Sequence, residues 1–305
     1  MPAAESGAER EKRWVAMTSL WAAVALTSFK IVVGLLTGSL GILAEAAHSG
    51  LDLVAALVTY LAIRAAGKPP DTEHLYGHGK IENLSALFET FLLFLTCVWI
   101  FYEAGHRLSY HSAEVEVNAW SFAVMFTSIV IDFSRSRALA RAARKHNSQA
   151  LEADALHFAT DIWSSLAVIA GLFCVKLSHW VPSLHVLRYA DSIAAIVVAL
   201  IVVWVSIELG WRTIRALLDT APAGIEQKII AAVEAVPGVW DCHHVRARSS
   251  GPQLFIDVHV LVDGRQTLTE AHDLTEQIER AIQQVAPGAD VTVHPEPRGG
   301  ATSDQ

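Results

Sequence analysis

Long apolar segments alternate with short polar ones from Trp14 to about Trp211. A helix needs roughly 20 apolar residues to cross a bilayer, and six segments are long enough to do so. We therefore predict a membrane domain of six transmembrane helices over residues 14–215. They are expected at Trp14–Leu36, Leu40–Ile63, Ile81–Gly105, Val117–Ala138, Leu151–Leu177 and Ala190–Trp211.

From Ala221 onward the sequence is polar, charged and rich in turn residues, which is typical of a soluble domain. The hydrophobic pattern predicts two helices and three strands. In chain order they are a helix at Pro222–Val236, strands at Val239–Arg248 and Gln253–Val262, a helix at Gln266–Val285 and a strand at Asp290–His294. The order αββαβ favours a two-layer α+β domain, of ferredoxin or metallochaperone type, with its helices on one sheet face. We expect this domain at residues 216–297, a short N-terminal segment at 1–13 and a disordered tail at 298–305.

The distribution of charged residues supports the division into a membrane domain and a soluble domain, and it predicts which way the chain is oriented in the membrane. The chain is 52% hydrophobic and 18% charged, whereas about a quarter of the residues of a soluble domain are charged. Lys and Arg are concentrated on one set of helix flanks, while the opposite set carries only Arg107, Lys176 and Arg188. By the positive-inside rule, both termini and the soluble domain are expected to be cytoplasmic. The net charge of −8 argues against a nucleic-acid partner.

Two predicted helices each carry a histidine and an aspartate four residues apart, His48 with Asp52 and His157 with Asp161. Residues at this spacing lie on the same helix face. One such pair could be a structural hydrogen bond between helices, but two matched pairs supply the four ligands of a tetrahedral metal site. Because ionisable groups are costly at membrane depth, the two pairs indicate a metal site within the membrane.

Three more charged residues lie close to these pairs. Glu45 and Asp154 each precede one of the histidines, His48 and His157, by three residues. Either these acids orient the imidazoles from outside the ligand set, or they only mark polar helix ends. Lys30 is expected to extend toward the outer headgroups, and a buried pair with a carboxylate such as Glu45 is the alternative.

Histidines also cluster in two polar regions. Asp71, His74 and His78 offer three ligands within one loop between the second and third predicted helices, with a solvated polar loop as the alternative. The C-terminal region contains a further set that exceeds what packing requires. This set consists of His243, His244, His259, His272, His294 and Glu296.

Residues 44–52, 76–80 and 157–161 resemble motifs of the cation diffusion facilitator family of divalent-metal/proton antiporters. The resemblance extends from the first predicted helix to about Pro297. Several bacterial members have Asp where this chain has His48, a departure that affects metal preference.

The resemblance implies a homodimer with three kinds of metal site. The corresponding residues are His48, Asp52, His157 and Asp161 for the transported ion, Asp71, His74 and His78 for entry or sensing, and His243, His259, His272, His294 and Glu296 for a cytoplasmic two-metal site at the dimer interface. His244 would replace or supplement His243. Lys80 and Asp219 would form an inter-subunit charge interlock, unless they are unrelated solvated charges.

These observations predict export of divalent metal from the cytoplasm, across a bacterial plasma membrane, in exchange for protons. A protonated imidazole cannot bind metal, so metal and protons compete for the site. Two imidazoles with two carboxylates suit Zn²⁺, and Fe²⁺, Mn²⁺, Co²⁺ or Cd²⁺ are alternatives. We expect a transporter and not an enzyme, because an intramembrane hydrolase would need an added general base and a substrate cleft. A metal sensor would leave the paired ligands within the membrane unexplained.

Overall fold

The computed structural model describes residues 7–110, 119–180 and 190–298. Its described part contains six long helices: α1 Gly7–Thr37, α2 Leu40–Ala66, α3 Lys80–Tyr110, α4 Ala119–His146, α5 Gln149–Trp180 and α6 Ala190–Leu217. The first six residues, Val117, Arg188 and the predicted disordered tail from residue 299 lie outside the described ranges.

Four of these helices are long and apolar enough to cross a membrane, judged by length and composition over the described residues. The qualifying segments are Gly7–Thr37, Glu45–Ala66, Lys80–Tyr102 and Ile196–Leu217. The other two predicted spans fall on α4 and α5, which are helices of similar length but are not among these four segments of the described residues.

The helices are longer than the apolar segments that predicted them. The first begins at Gly7 because the charged residues before Trp14 continue the helix. The fourth continues through the basic stretch to His146. A helix need not end where the apolar pattern ends, since its backbone hydrogen bonds are formed within the helix in water as well as in lipid.

The helices pack in pairs with small residues between them. Helix α1 packs mainly against α2, α3 against α6, and α4 against α5. Ala55 and Ala56 on α2 and Ala150 and Ala153 on α5 are buried, and such residues let helix backbones approach closely. Large apolar side chains cover the outside of the bundle, as expected for surfaces in contact with lipid. They include Trp21, Leu36, Trp99, Trp163 and Trp204.

The soluble region has the predicted order αββαβ, with α7 Ile225–Glu234, β1 Asp241–Ser250, β2 Gln253–Val262, α8 Leu268–Val285 and β3 Asp290–Pro297. The strand order is β1-β2-β3, with β1 antiparallel and β3 parallel to β2. Helices α7 and α8 contact each other and enclose one apolar core with the sheet. Its fully buried members include Ile229, Val233, Val258, Ile278 and Ile282.

Two element boundaries in this domain follow local chemistry that the sequence prediction overlooked. Helix α8 begins at Leu268, two residues after the predicted start, because Thr267 and Glu270 form a reciprocal capping box. Strand β3 continues past His294 to Pro297 because each of these residues stays paired with β2.

The turn between β1 and β2 contacts the start of α3 and the loop before it. The Gly251 N–H donates a 3.0 Å hydrogen bond to Asn83 Oδ1. The Tyr76 ring packs edge-on against Phe255, with 5.2 Å between ring centroids, and the Arg248 guanidinium lies 4.0 Å from the Tyr76 centroid. These contacts join the membrane and soluble domains within one chain.

We predict that Gly79→Ala separates the two domains without unfolding either. A Cβ atom at Gly79 would overlap the backbone carbonyl of Ser250. A backbone carbonyl cannot rotate aside as a flexible side chain can, so the turn that contains Ser250 must move away. Amide hydrogen exchange of residues 249–253 is expected to speed up, while exchange in the core of α8 stays unchanged. Gly105→Ala is the matched control, because a Cβ there has nothing within 4 Å. Equal exchange in both variants would contradict the contact.

Candidate metal centres

The two histidine–aspartate pairs meet where α2 faces α5. His157 Nε2 lies 3.1 Å from Asp52 Oδ1 and 3.9 Å from Asp161 Oδ2. His48 Nε2 lies 3.9 Å from Asp161 Oδ1. The imidazole of each helix thus meets the carboxylate of the other, and the structure brings all four predicted residues together.

Three of these residues lie close enough to hold a cation together. Tetrahedral ligand atoms with metal–ligand bonds of about 2.0–2.2 Å lie about 3.3–3.6 Å apart, and the contacts here are 3.1 Å and 3.9 Å. Ligand atoms of His48, Asp52 and Asp161 all lie within 4.8 Å of one another. His157 and Asp52 are buried, while the His48 side chain is 41% exposed. A cation could therefore enter on the side of His48.

The neighbouring acids do not hold the imidazoles by hydrogen bonds. Neither carboxylate oxygen of Asp154 has a hydrogen-bond partner, and the same is true of His157 Nδ1. Glu45 instead accepts a 2.9 Å hydrogen bond from Lys30, which also donates to Ser49 Oγ at 2.6 Å. Lys30 is only 2% exposed. The expectation that it extends to the headgroups is wrong, because a carboxylate within reach stabilises the buried ammonium.

Sequence reasoning missed an ion pair in α4. Asp132 and Arg135 are buried and lie 3.2 Å apart. Arg135 also donates to Ser19 on α1 and stacks 3.5 Å from the centroid of Phe158 on α5. The sequence does contain a signal for this ion pair, because Asp132 lies three residues before Arg135, on the same face of a predicted helix. The positive-inside rule, which places Lys and Arg at the flanks of the helices, does not distinguish this buried arginine.

The three predicted loop ligands, Asp71, His74 and His78, lie close together. Asp71 Oδ1 lies 3.3 Å from His74 Nδ1, and Asp71 Oδ2 lies 3.3 Å from His78 Nε2. The His74 backbone N–H donates to the Asp71 carboxylate and lowers its pKa, so the group is ionised and ready to bind a cation. His78 Nδ1 is buried without a hydrogen-bond partner. The donor set fits a divalent transition metal.

Strand register assembles the cytoplasmic cluster. His243 on β1 pairs with His259 on β2, which pairs in turn with His294 on β3. A bulge after His243 and a positive φ of 49° at His244 bring a fourth imidazole onto this side of the sheet, 5.3 Å from the His259 ring. Two ligand groups share His259, one with His243 and His244 and the other with His294 and Glu296. The cluster thus contains two overlapping groups of three ligands with His259 in common.

Glu296 lies at the centre of this cluster. Its oxygens are 2.8 Å from His259 Nδ1, 3.4 Å from His243 Nε2 and 3.8 Å from His294 Nε2. The hydrogen bond with His259 and the charges of the surrounding imidazoles lower its pKa below the usual 4.5. His272 is elsewhere, on α8, where it is largely exposed and lies 3.8 Å from Glu276. A single chain does not bring His272 to the other ligands.

Lys80 and Asp219 form an ion pair within one chain, with 2.9 Å between Nζ and Oδ1. Lys80 also donates to the Leu217 carbonyl at 3.4 Å. The two residues thus lie within reach of each other in one chain, and a charge interlock between subunits stays a prediction. The pair still joins the start of α3 to the segment that leads from α6 into the soluble domain.

We predict that Glu296 stabilises the metal-free protein in a pH-dependent way. Its folded-state pKa lies below the 4.5 of a free glutamate, so its contribution is present above about pH 4.5 and is lost as the pH falls through the lowered pKa. In the presence of chelator, wild type is expected to unfold at a higher temperature than Glu296→Gln near neutral pH, and the two should converge in acid.

The matched control is Asp290→Asn, which removes an exposed carboxylate from the same strand. Its unfolding temperature should stay close to that of wild type at each pH. A difference between wild type and Glu296→Gln that is constant with pH would contradict the electrostatic origin of the effect.

Comparison with known proteins gives a consistent result over the whole chain. The cation efflux transmembrane domain matches residues 16–218, and the cation efflux protein cytoplasmic domain matches residues 221–298. The cation-efflux pump FieF of Yersinia pestis (strain Pestoides F) is 31% identical over 294 residues, 93% of each chain. The FieF pump of Salmonella arizonae is 32% identical over 280 residues, 90% of this chain and 89% of that one.

Among solved structures, the metal-bound C-terminal domain of the CzcD transporter from Thermotoga maritima is 35% identical. It covers 25% of this chain and 91% of its own, with a TM-score of 0.24. The family assignment rests on the domain matches and on the relatives that align along the whole chain. On that basis the chain belongs to the cation diffusion facilitator family.

Proposed function

We propose that this protein exports divalent metal cations from the cytoplasm, across a bacterial plasma membrane, in exchange for protons. The observation that carries the proposal is the convergence of His48, Asp52, His157 and Asp161 from two helices. Four such groups at membrane depth are costly unless they bind a cation or protons. The family membership and the relatives named as cation-efflux pumps support transport as the use of this site.

We include α4 and α5 among six membrane spans with both termini cytoplasmic. Three of their charged residues, Asp132, Arg135 and Asp154, are buried in the bundle. Inward-facing and paired charges are how a membrane helix accommodates ionisable residues. The basic end of α4 at Arg144 and Lys145 then lies on the cytoplasmic side, as the positive-inside rule requires.

Protons couple to metal through competition for the same ligands. A neutral imidazole and an ionised carboxylate bind the cation, whereas their protonated forms do not. When the site faces the cytoplasm, cation binding displaces protons. When it faces outward, protonation of His48 and His157 weakens the site and releases the cation.

Zn²⁺ is the favoured substrate, because two imidazoles and two carboxylates suit its tetrahedral coordination. Fe²⁺, Mn²⁺, Co²⁺ and Cd²⁺ bind ligands of the same kinds, and affinity order alone does not choose among them. His48 adds a nitrogen ligand where several bacterial members have a carboxylate, which shifts the donor set toward borderline metals such as Zn²⁺.

The cytoplasmic clusters act in regulation and assembly. One cluster of metal ligands lies in the loop before α3, and the other lies on the sheet of the soluble domain. Since His272 lies apart from the other predicted ligands in one chain, we propose that a second copy supplies it to a two-metal site in a homodimer. A membrane metal sensor is the rival function, and these clusters favour it, but it gives the site between α2 and α5 no role.

We expect Asp161→Ala to abolish coupled transport. The variant removes the carboxylate that contacts both histidines. In proteoliposomes that contain a zinc-responsive dye, Zn²⁺ flux driven by an imposed proton gradient should fall at least about tenfold. Parallel runs with the other four metals would rank selectivity.

The control for this experiment is Asp273→Ala, which removes an exposed carboxylate from α8. Its flux should equal that of wild type. If no metal moved while the protein still bound metal at the cytoplasmic clusters, the sensor would replace the exporter. Undiminished flux in Asp161→Ala would refute the site itself.

We also expect His272→Ala to lower the number of metal ions bound by the full-length protein and to weaken its dimer. Titration calorimetry and sedimentation in detergent measure the two effects. Glu276→Gln is the matched control, since it removes the neighbour of His272 but no predicted ligand. Unchanged metal stoichiometry in His272→Ala would contradict a ligand shared between subunits.

A further inference from the structure

Glu89 is a carboxyl group in the middle of α3 with no exposed surface. The Thr59 hydroxyl on α2 donates a hydrogen bond to its Oε1 atom. Its Oε2 atom is buried and has no hydrogen-bond partner. In the part of the chain that the structure describes, no Lys, Arg or His forms an ion pair with it. None of the three candidate metal centres uses this residue.

The acidic groups near Glu89 make its ionisation more costly. Asp154 on α5 acts on it electrostatically, is only 1% exposed and has two unpartnered oxygens. Glu82 lies seven residues earlier on α3, about 10 Å along the helix. Its charge is already matched by Lys12, at 2.6 Å.

The other neighbouring elements provide no cation. The described part of α6, from residue 196, turns its charged residues to the surface and contributes buried hydroxyls at Ser206 and Thr213. On α2, Arg64 lies five residues after Thr59 and is exposed at the surface, while Asp52, about two turns before Thr59, belongs to the metal site. Arg135 of α4 is directed to Asp132 and Ser19.

The neutral acid is therefore the stable form of Glu89 while the metal site lacks a cation. A buried carboxylate that has one hydroxyl donor and no cation loses more hydration than this single hydrogen bond replaces. The neutral form avoids this cost. A divalent cation between α2 and α5 changes the balance, because its positive charge offsets that of Asp154, which lies one turn before the ligand His157 and opposes the ionisation of Glu89.

We propose that Glu89 is a proton-binding site, separate from the metal ligands, that releases its proton when a cation occupies the site between α2 and α5. The O–H bond of the Glu89 carboxyl breaks and the proton passes to water; on release of the cation the same oxygen takes up a proton. This deepens the proposed function, because it makes Glu89 a second source of the exchanged protons.

The test compares wild type with Glu89→Gln, which is neutral, similar in size and still able to accept the Thr59 hydrogen bond. Infrared spectroscopy of the resting protein detects the carbonyl stretch of a protonated carboxyl group. We expect a band that is present in wild type, absent in Glu89→Gln and lost from wild type when Zn²⁺ is added. In a weakly buffered solution, Glu89→Gln should also release fewer protons per bound Zn²⁺ than wild type.

Two further variants distinguish this role from a structural one. Thr59→Val keeps the acid but removes its hydrogen bond, so the band should shift in frequency and still respond to Zn²⁺. Glu152→Gln removes a carboxylate that pairs with Arg212 near the surface, and it should change neither the band nor the proton count.

Absence of the band from wild type would overturn the proposal. So would a band that Zn²⁺ leaves unchanged together with an equal proton count in Glu89→Gln, because Glu89 would then be a permanently neutral structural acid. Failure of the proposed function looks different: the resting band would be present, but wild type would neither bind nor transport Zn²⁺ through the α2–α5 site.

Discussion

The cost of placing charge in a low-dielectric interior governs the membrane domain. Each buried cation in the described part of the bundle has a carboxylate close by, usually on another helix. Lys12 meets Glu82 of α3, Lys30 meets Glu45 of α2, and Arg135 meets Asp132 on its own helix. Pairing between helices fixes their relative rotation as well as their contact. It thereby determines which faces of α2 and α5 are left to carry histidines and aspartates toward each other.

The soluble domain assembles its ligands by a different means, strand register. Three histidines on three strands become neighbours because their positions in the ladder coincide. The bulge at His243 then adds His244 to the same side. The turn at the other end of β1 and β2 contacts the start of α3. Strand pairing thus assembles the ligands of the soluble domain, and the turn contact sets how that domain meets the start of α3.

Much of this was predictable from sequence, because periodicity is local information. The order αββαβ, the apolar cores of four helices and the presence of a histidine and an aspartate on one face of α2 and of α5 follow from spacing alone. Contacts between distant elements are not local. The partner of Lys30, the isolation of His272 and the intra-chain pair of Lys80 with Asp219 depend on which helix faces which. A bulge, such as the one at His244, leaves no clear mark in the hydrophobic pattern.

The pairing of helices has a mechanical consequence. Helix α2 packs mainly against α1 and α5 mainly against α4, while direct packing between α2 and α5 is limited. The ligand set therefore straddles a contact that is much smaller than the packing of either helix against its main neighbour. A small displacement of α2 from α5 would separate imidazole from carboxylate while leaving the larger contacts of each helix intact. A cation bound at the proposed site would bridge the two helices, so that its binding and the closure of this contact would be coupled.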